Sequence, residues 1–206
     1  MVLLLAPVAA QAQGAPPAQL PALPFVDKGA CPGEGCVYRD WKVKTRVVTY
    51  ETWMSGAPVR EVFATNPGET VTAMTGVVLV TSAGRAQIRR QITIPALISD
   101  QFPRQRPSER VSVVPGTVVY LLTSHGEGFF TAWVNGVLVN FDITNLEQPK
   151  TPGAGYSGCV RTQTCDGEVL EYPRRTWWVQ IRNAAGQIGW TSQTQAFDGY
   201  DALAGR

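Results

Sequence analysis

The chain contains a single histidine. It stands in Thr123-Ser124-His125-Gly126-Glu127-Gly128, the one stretch where a hydroxyl, an imidazole and a carboxylate come together locally. A nucleophile, a base and an acid are the ingredients of acyl transfer. Sequence neighbours do not make a triad, however, because a triad is a geometry assembled across a fold, and these residues read more simply as a glycine-bearing turn. A glycosidase would need a second carboxylate at a defined separation from Glu127, and no spacing in the chain supplies one. Gly33-Glu34-Gly35 and Gly126-Glu127-Gly128 do not run into a helix N-terminus, so neither is a phosphate loop. No catalytic residue, cofactor or metal is assigned on this basis.

Four cysteines form two close pairs, Cys31-Pro-Gly-Glu-Gly-Cys36 and Cys159-Val-Arg-Thr-Gln-Thr-Cys165. Neither spacing is the Cys-x2-Cys of a zinc knuckle, and the lone His125 adds no second ligand pair. An even count in local pairs reads as two local disulfides in an exported protein, although four cysteines allow three connectivities, among them a Cys31–Cys165 bridge. A cysteine hydrolase of the cell wall would need a free thiolate beside a histidine, which cysteines held in bridges cannot supply.

Recognition rather than reaction is the chemistry the remaining residues offer. Tyr120, Phe129, Phe130, Trp133, Trp177, Trp178 and Trp190 exceed what one small barrel can bury on a single inner face. Side chains alternate across a strand, so one member of Phe129/Phe130 and one of Trp177/Trp178 must face outward. Such aromatics either form a binding surface or pack two units together. Tyr120, Glu127, Phe129, Phe130, Trp133, Trp178 and Trp190 are therefore the expected binding residues. Arg85, Arg89, Arg90, Arg104, Arg106 and Arg110 are offset only by Asp100 and Glu109, and they read as a solvated strand face or as a seat for an anionic polymer. A formal net charge of +2 is too small to point to nucleic acid.

The elements that must position these residues are strands. Twenty glycines, fifteen prolines and 17% charged residues favour strands and turns over helices. Expected strands cover 44–51, 59–63, 69–80, 86–94, 111–114, 117–123, 129–134 and 137–141. Asn66-Pro67-Gly68, Ser82-Ala83-Gly84, Pro115-Gly116 and Asn135-Gly136 serve as turns between them. The clearest unit is Trp177 to Trp190, in which Trp177, Val179 and Ile181 share one face. Asn183 to Gly186 makes its tight connection, and Gly189 marks a bulge, a bend at a barrel corner or a close approach. Along 86–94, Ala86, Ile88, Arg90, Ile92 and Ile94 share a face that Arg90 interrupts. Helix is expected only in short turns and in the tail 196–204.

Pro67-Gly68-Glu69-Thr70-Val71 lines up with Pro115-Gly116-Thr117-Val118-Val119, a weak repeat that implies two small barrels. Pro115-Gly116, Val119-Tyr120-Leu121-Leu122-Thr123, Gly126-Glu127-Gly128-Phe129-Phe130, Trp133, Asn135-Gly136 and the late Gly189-Trp190 together resemble the bacterial SH3-like (SH3b-type) barrel over about residues 111–195. The resemblance implies an all-β protein with two such barrels in tandem, 29–100 and 111–206, joined by a linker at 101–110. Residues 142–176 form an insertion that the family pattern lacks. It also implies a binding role in the envelope or outside the cell and gives no chemistry.

Val2 to Ala10 is a short apolar run followed by Ala10-Gln11-Ala12, the pattern of a secretory signal over 1–12, although no positive residue precedes it. The run is too short to span a bilayer, which takes about 20 apolar residues. Residues 13–28, with four prolines, read as a linker. The expectation is a non-enzymatic, periplasmic or secreted binding or scaffold module that recognises peptidoglycan, another glycan, a peptide or a protein. The alternative is a cell-wall hydrolase, or a regulator of one, whose motif is not legible.

Overall fold

The computed structural model describes residues 20–33, 35–53, 60–97, 110–149, 158–159 and 164–200. The expected signal segment, most of the expected 101–110 linker, and Arg104 and Arg106 lie outside them. The protein is all-β, as its composition favours. Its strands are β1 (Phe25–Lys28), β2 (Asp40–Val43), β3 (Val47–Tyr50), β4 (Glu61–Thr65), β5 (Thr70–Ser82), β6 (Gly84–Ile88), β7 (Ile92–Pro95), β8 (Arg110–Val113), β9 (Val118–Gly126), β10 (Phe129–Val134), β11 (Val137–Asp142), β12 (Leu146–Glu147), β13 (Gly167–Glu171), β14 (Arg174–Arg182), β15 (Ile188–Thr191) and β16 (Phe197–Asp198). Of the tail expected to be helical, Thr194–Ala196 is a single 3-10 turn and the chain then pairs again as β16.

The first sheet runs β16-β2-β5-β14-β15-β3-β4, with β1 also paired to β5. It curls into a half-barrel. Phe63 on β4 and Phe197 on β16, at opposite ends of the sheet, enter one cluster with Trp41, Val71, Val179 and Ile181. Trp41 is fully buried there, its ring 5.6 Å from Phe197 and 5.9 Å from Trp177. The alternation read in Trp177, Val179 and Ile181 is thus the core face of β14. Gly76 on β5 admits the Tyr38 hydroxyl and the Trp177 indole, whose Nε1 would sit 2.6 Å from any added Cβ.

The second sheet runs β11-β10-β9-β6-β13-β12, and the β7–β8 ribbon lies beside β11 through the Ala96–Val139 bridge. Its core takes Ile88, Leu121, Phe130, Val139, Phe141 and Leu146, together with Ile94 from β7 and Val113 from β8. The strand expected over 86–94 breaks after Ile88 and resumes at Ile92. Arg90 falls in the gap and turns to solvent, where it pairs with Asp166, so the interruption of the apolar face marks the end of a strand.

The two sheets are not divided at 101–110. Every strand of the second sheet lies in sequence between β5 and β14 of the first. Ser82-Ala83-Gly84, expected to be a turn, stays extended and carries the chain from β5 directly into β6. β13 passes into β14 in the same way, and the two lie antiparallel, Glu171 opposite Arg85 and Arg174 opposite Ser82. One bent ribbon therefore serves both sheets. The bend is at Gly84, where a Cβ would stand 2.7 Å from the Glu171 carbonyl oxygen. Gly189 is in regular register with Ile181, and its reason is the close approach of Thr49, whose Cβ would be 2.6 Å away.

Two expected irregular segments also fold as strands. Phe25–Lys28, at the end of the proline-rich stretch, pairs with Val77–Val80. The expected insertion 142–176 supplies β12, β13 and the start of β14. The outer face of the second sheet meets β5 through Leu122 and Leu138 against Val78 and Val80, with Trp133, Trp177 and Phe25 packed around them.

Candidate binding cleft

Both disulfides are local, Cys31–Cys36 and Cys159–Cys165, with Cα atoms 5.6 and 5.7 Å apart. The first clamps the loop between β1 and β2. That loop and the β9–β10 turn form the two walls of an open cleft of about 780 Å³, lined by Cys31, Gly33, Gly35, Cys36, Leu97, His125, Gly126, Glu127, Phe129 and Asn140. A second hollow of about 230 Å³ adjoins it, and Phe129 and Asn140 line both.

The β9–β10 turn has an unusual residue at its tip. Gly126 pairs with Phe129, leaving Glu127 and Gly128 as the two central residues at φ 49° and 83°. Asn135 and Gly136, between β10 and β11, take nearly the same angles, 51° and 84°. Both are left-handed connections of the kind that matches strand twist, and the second carries the Asn-Gly pair such a turn favours. Glutamate has no such preference for the left-handed region. Its carboxylate is exposed and makes no ion pair among the described residues.

His125 is exposed and bonds through Nε2 to Thr131 Oγ1 at 2.7 Å. Desolvation lowers its pKa; Arg175 acts in the same direction and Asp27 against it. At neutral pH the imidazole is therefore uncharged. The Thr131 hydroxyl it touches belongs to a residue only 3% exposed, so the bond orients the ring and presents no nucleophile to the cleft. Phe129 is 37% exposed, and Asn140 on β11 offers an exposed amide beside it. Among the described lining residues the result is a surface with one aromatic ring, one carboxylate, an amide, a neutral imidazole and the glycines Gly33, Gly35 and Gly126.

The sequence-predicted binding residues do not converge. Glu127 and Phe129 line the cleft. Phe130 is 6% exposed in the core of the second sheet, where it tilts against Tyr172 at 6.4 Å. Trp133 packs into the junction between the sheets, and Tyr120, its register partner, is half-buried. Trp178 and Trp190 are half-buried on the first sheet, away from the cleft lining, with Trp190 edge-on to Trp53 at 6.4 Å. The surplus aromatics thus divide between sheet-to-sheet packing, a separate face and the cleft.

Asn140, Leu97 and the disulfide loop were not read as site residues. A signal for Asn140 was present: the Asn135-Gly136 hairpin pairs Thr131 with Asn140 and Phe129 with Asp142, which puts Asn140 on the outward face with Phe129. Nothing local marks the Cys31 loop or Leu97 as the opposite wall. The described arginines of the basic cluster are largely neutralised by carboxylates distant in sequence: Arg85 by Glu171 at 2.6 Å, Arg89 by Glu147 at 3.0 Å and Glu168 at 2.6 Å, and Arg90 by Asp166.

No protein family, curated protein or solved structure matches the chain. Among the described residues no helix is long and apolar enough to cross a membrane, and no group of histidine, cysteine or acidic side chains could hold a metal ion.

Proposed function

We propose that this protein is an exported, non-enzymatic binding module of the bacterial envelope that holds an extended segment of a partner, a peptide or a protein chain, in the cleft between the Cys31–Cys36 loop and the β9–β10 turn. The observation that carries this reading is Phe129, a large aromatic left partly exposed at the wall common to two adjoining hollows, with hydrogen-bonding groups on either side. Clefts that bind are apolar with a few placed polar groups, and an extended chain satisfies its own backbone against bared main chain. The two disulfides support export to an oxidising compartment, the periplasm or the exterior.

Retention of purified protein on isolated peptidoglycan and on total envelope protein tests it, comparing wild type with Phe129→Ala, the cleft-filling Asn140→Trp and Trp178→Ala. Loss with the first two and not the third is expected. Retention that only Trp178→Ala abolishes would move the site to the first sheet. Turnover of peptidoglycan that disappears in His125→Ala would make the protein a hydrolase.

A further inference from the structure

We propose that the cleft selects a basic side chain, the ammonium of lysine or the guanidinium of arginine in an extended peptide, and that Glu127 sets this preference. This rests on the binding reading above and deepens it.

The charge of the lining is one-sided. Of the ten described lining residues Glu127 is the one carboxylate, and none of them is lysine or arginine. His125, the only other ionisable side chain among the described lining residues besides the bridged cysteines, is held toward its neutral form by desolvation and does not cancel the carboxylate. Arg85, Arg89 and Arg90 are each engaged by carboxylates elsewhere, and of the charges that act on His125 from outside the lining, Arg175 and Asp27 oppose one another. A cation entering the cleft therefore meets the Glu127 carboxylate on a wall where no described lining residue is a lysine or arginine.

Geometry adds a second partner for the cation. Glu127 and Phe129 line the same cleft two residues apart, so a basic group at the carboxylate lies beside an aromatic ring. Ring faces attract cations, and arginine more often than lysine makes such contacts. The backbone placement of Glu127 points the same way. The Asn135-Gly136 turn places asparagine at φ 51°, the residue such a position favours, and glutamate at φ 49° departs from that choice. Residues kept in sparsely populated backbone regions cluster at ligand clamps.

The test uses the full chain and four labelled octapeptides, otherwise alanine and serine, with a central Lys, Arg, Gln or Glu, read by fluorescence anisotropy. The Lys and Arg peptides are expected to bind about tenfold more tightly than the Gln peptide, the sum of a partly exposed ion pair and a cation–π contact. Glu127→Gln should erase that preference, bringing the Lys, Arg and Gln peptides to one affinity, and Glu127→Lys should reverse it in favour of the Glu peptide. Asn140→Trp should abolish binding of all four. Equal affinities in the wild type, or a preference that survives Glu127→Gln, overturn the assignment to Glu127 and leave the cleft as a peptide site. No binding by any peptide, or binding that Asn140→Trp does not touch, overturns the cleft reading and this inference with it. Each variant's urea midpoint is measured alongside to separate lost binding from lost folding.

Discussion

Phe129 and Phe130 are consecutive on β10 and face opposite environments, Phe130 6% exposed inside the second sheet's core and Phe129 37% exposed at the cleft. Strand alternation produces this directly, since one face of β10 carries Phe130, Ala132 and Val134 into the core and the other presents Phe129, Thr131 and Trp133. One ring therefore serves stability and its neighbour serves the surface. Phe130→Ala is expected to cost about 3–5 kcal/mol in urea unfolding, whereas Phe129→Ala stays within about 0.5 kcal/mol and removes envelope retention. Equal costs for the two would contradict the placement.

Glu127 and Asn135 form a second instructive pair, alike in φ at 49° and 51° and unlike in side chain. Replacing Glu127 by Asn fits the left-handed turn better, and a gain of up to about 1 kcal/mol is expected in thermal or urea unfolding. Binding should fall in the same variant. A stabilised protein with undiminished affinity would show that the carboxylate has no part in recognition.

The strand alternation, the Asn135-Gly136 turn and the local cysteine pairing were legible because each is written within about ten residues. The route of the chain between sheets was not. Ser82-Ala83-Gly84 has turn-forming residues, yet Gly84 serves the close approach of Glu171, a residue almost ninety positions away, and the chain stays extended. Trp133 looked like a surface aromatic because its burial comes from Val78 and Val80 of the other sheet. Half of the cleft was legible for the same reason: Glu127 and Phe129 lie in one hairpin, while the Cys31–Cys36 loop reaches them only through the pairing of β1 with β5 and the packing of β5 on β9.

The two disulfides close loops of similar size and stand in different places, which separates stability from function. Removing either by paired Cys→Ser changes should cost about 2 kcal/mol in the chain-entropy account. Loss of Cys31–Cys36 should also weaken binding, because it frees a wall of the cleft, and loss of Cys159–Cys165 should not. Parallel unfolding and binding measurements on both double variants check this; equal binding in the two would remove the loop from the site.

His125 gives the protein a pH signature. Its folded pKa lies below the unfolded value of about 6.5, with desolvation as the main cause and the charges of Arg175 and Asp27 opposing one another. The unfolded chain then binds the proton first, so stability is intact above about pH 6.5, falls as pH drops through that value, and stops falling below the folded pKa. Because the chain has one histidine, His125→Gln should remove this step alone. Urea midpoints of both proteins between pH 7.5 and 5.5 check it, and identical pH slopes would show that the ring is not desolvated.

Photo-crosslinking inside the cell envelope tests the central claim most directly. A photoreactive phenylalanine analogue placed singly at 129, 178 or 190 samples the cleft and the separate aromatic face of the first sheet in the folded protein. The cleft account predicts covalent adducts from position 129, reduced by Glu127→Lys, and none above background from positions 178 and 190. Adducts from 178 or 190 with none from 129 would contradict it and place recognition on the first sheet.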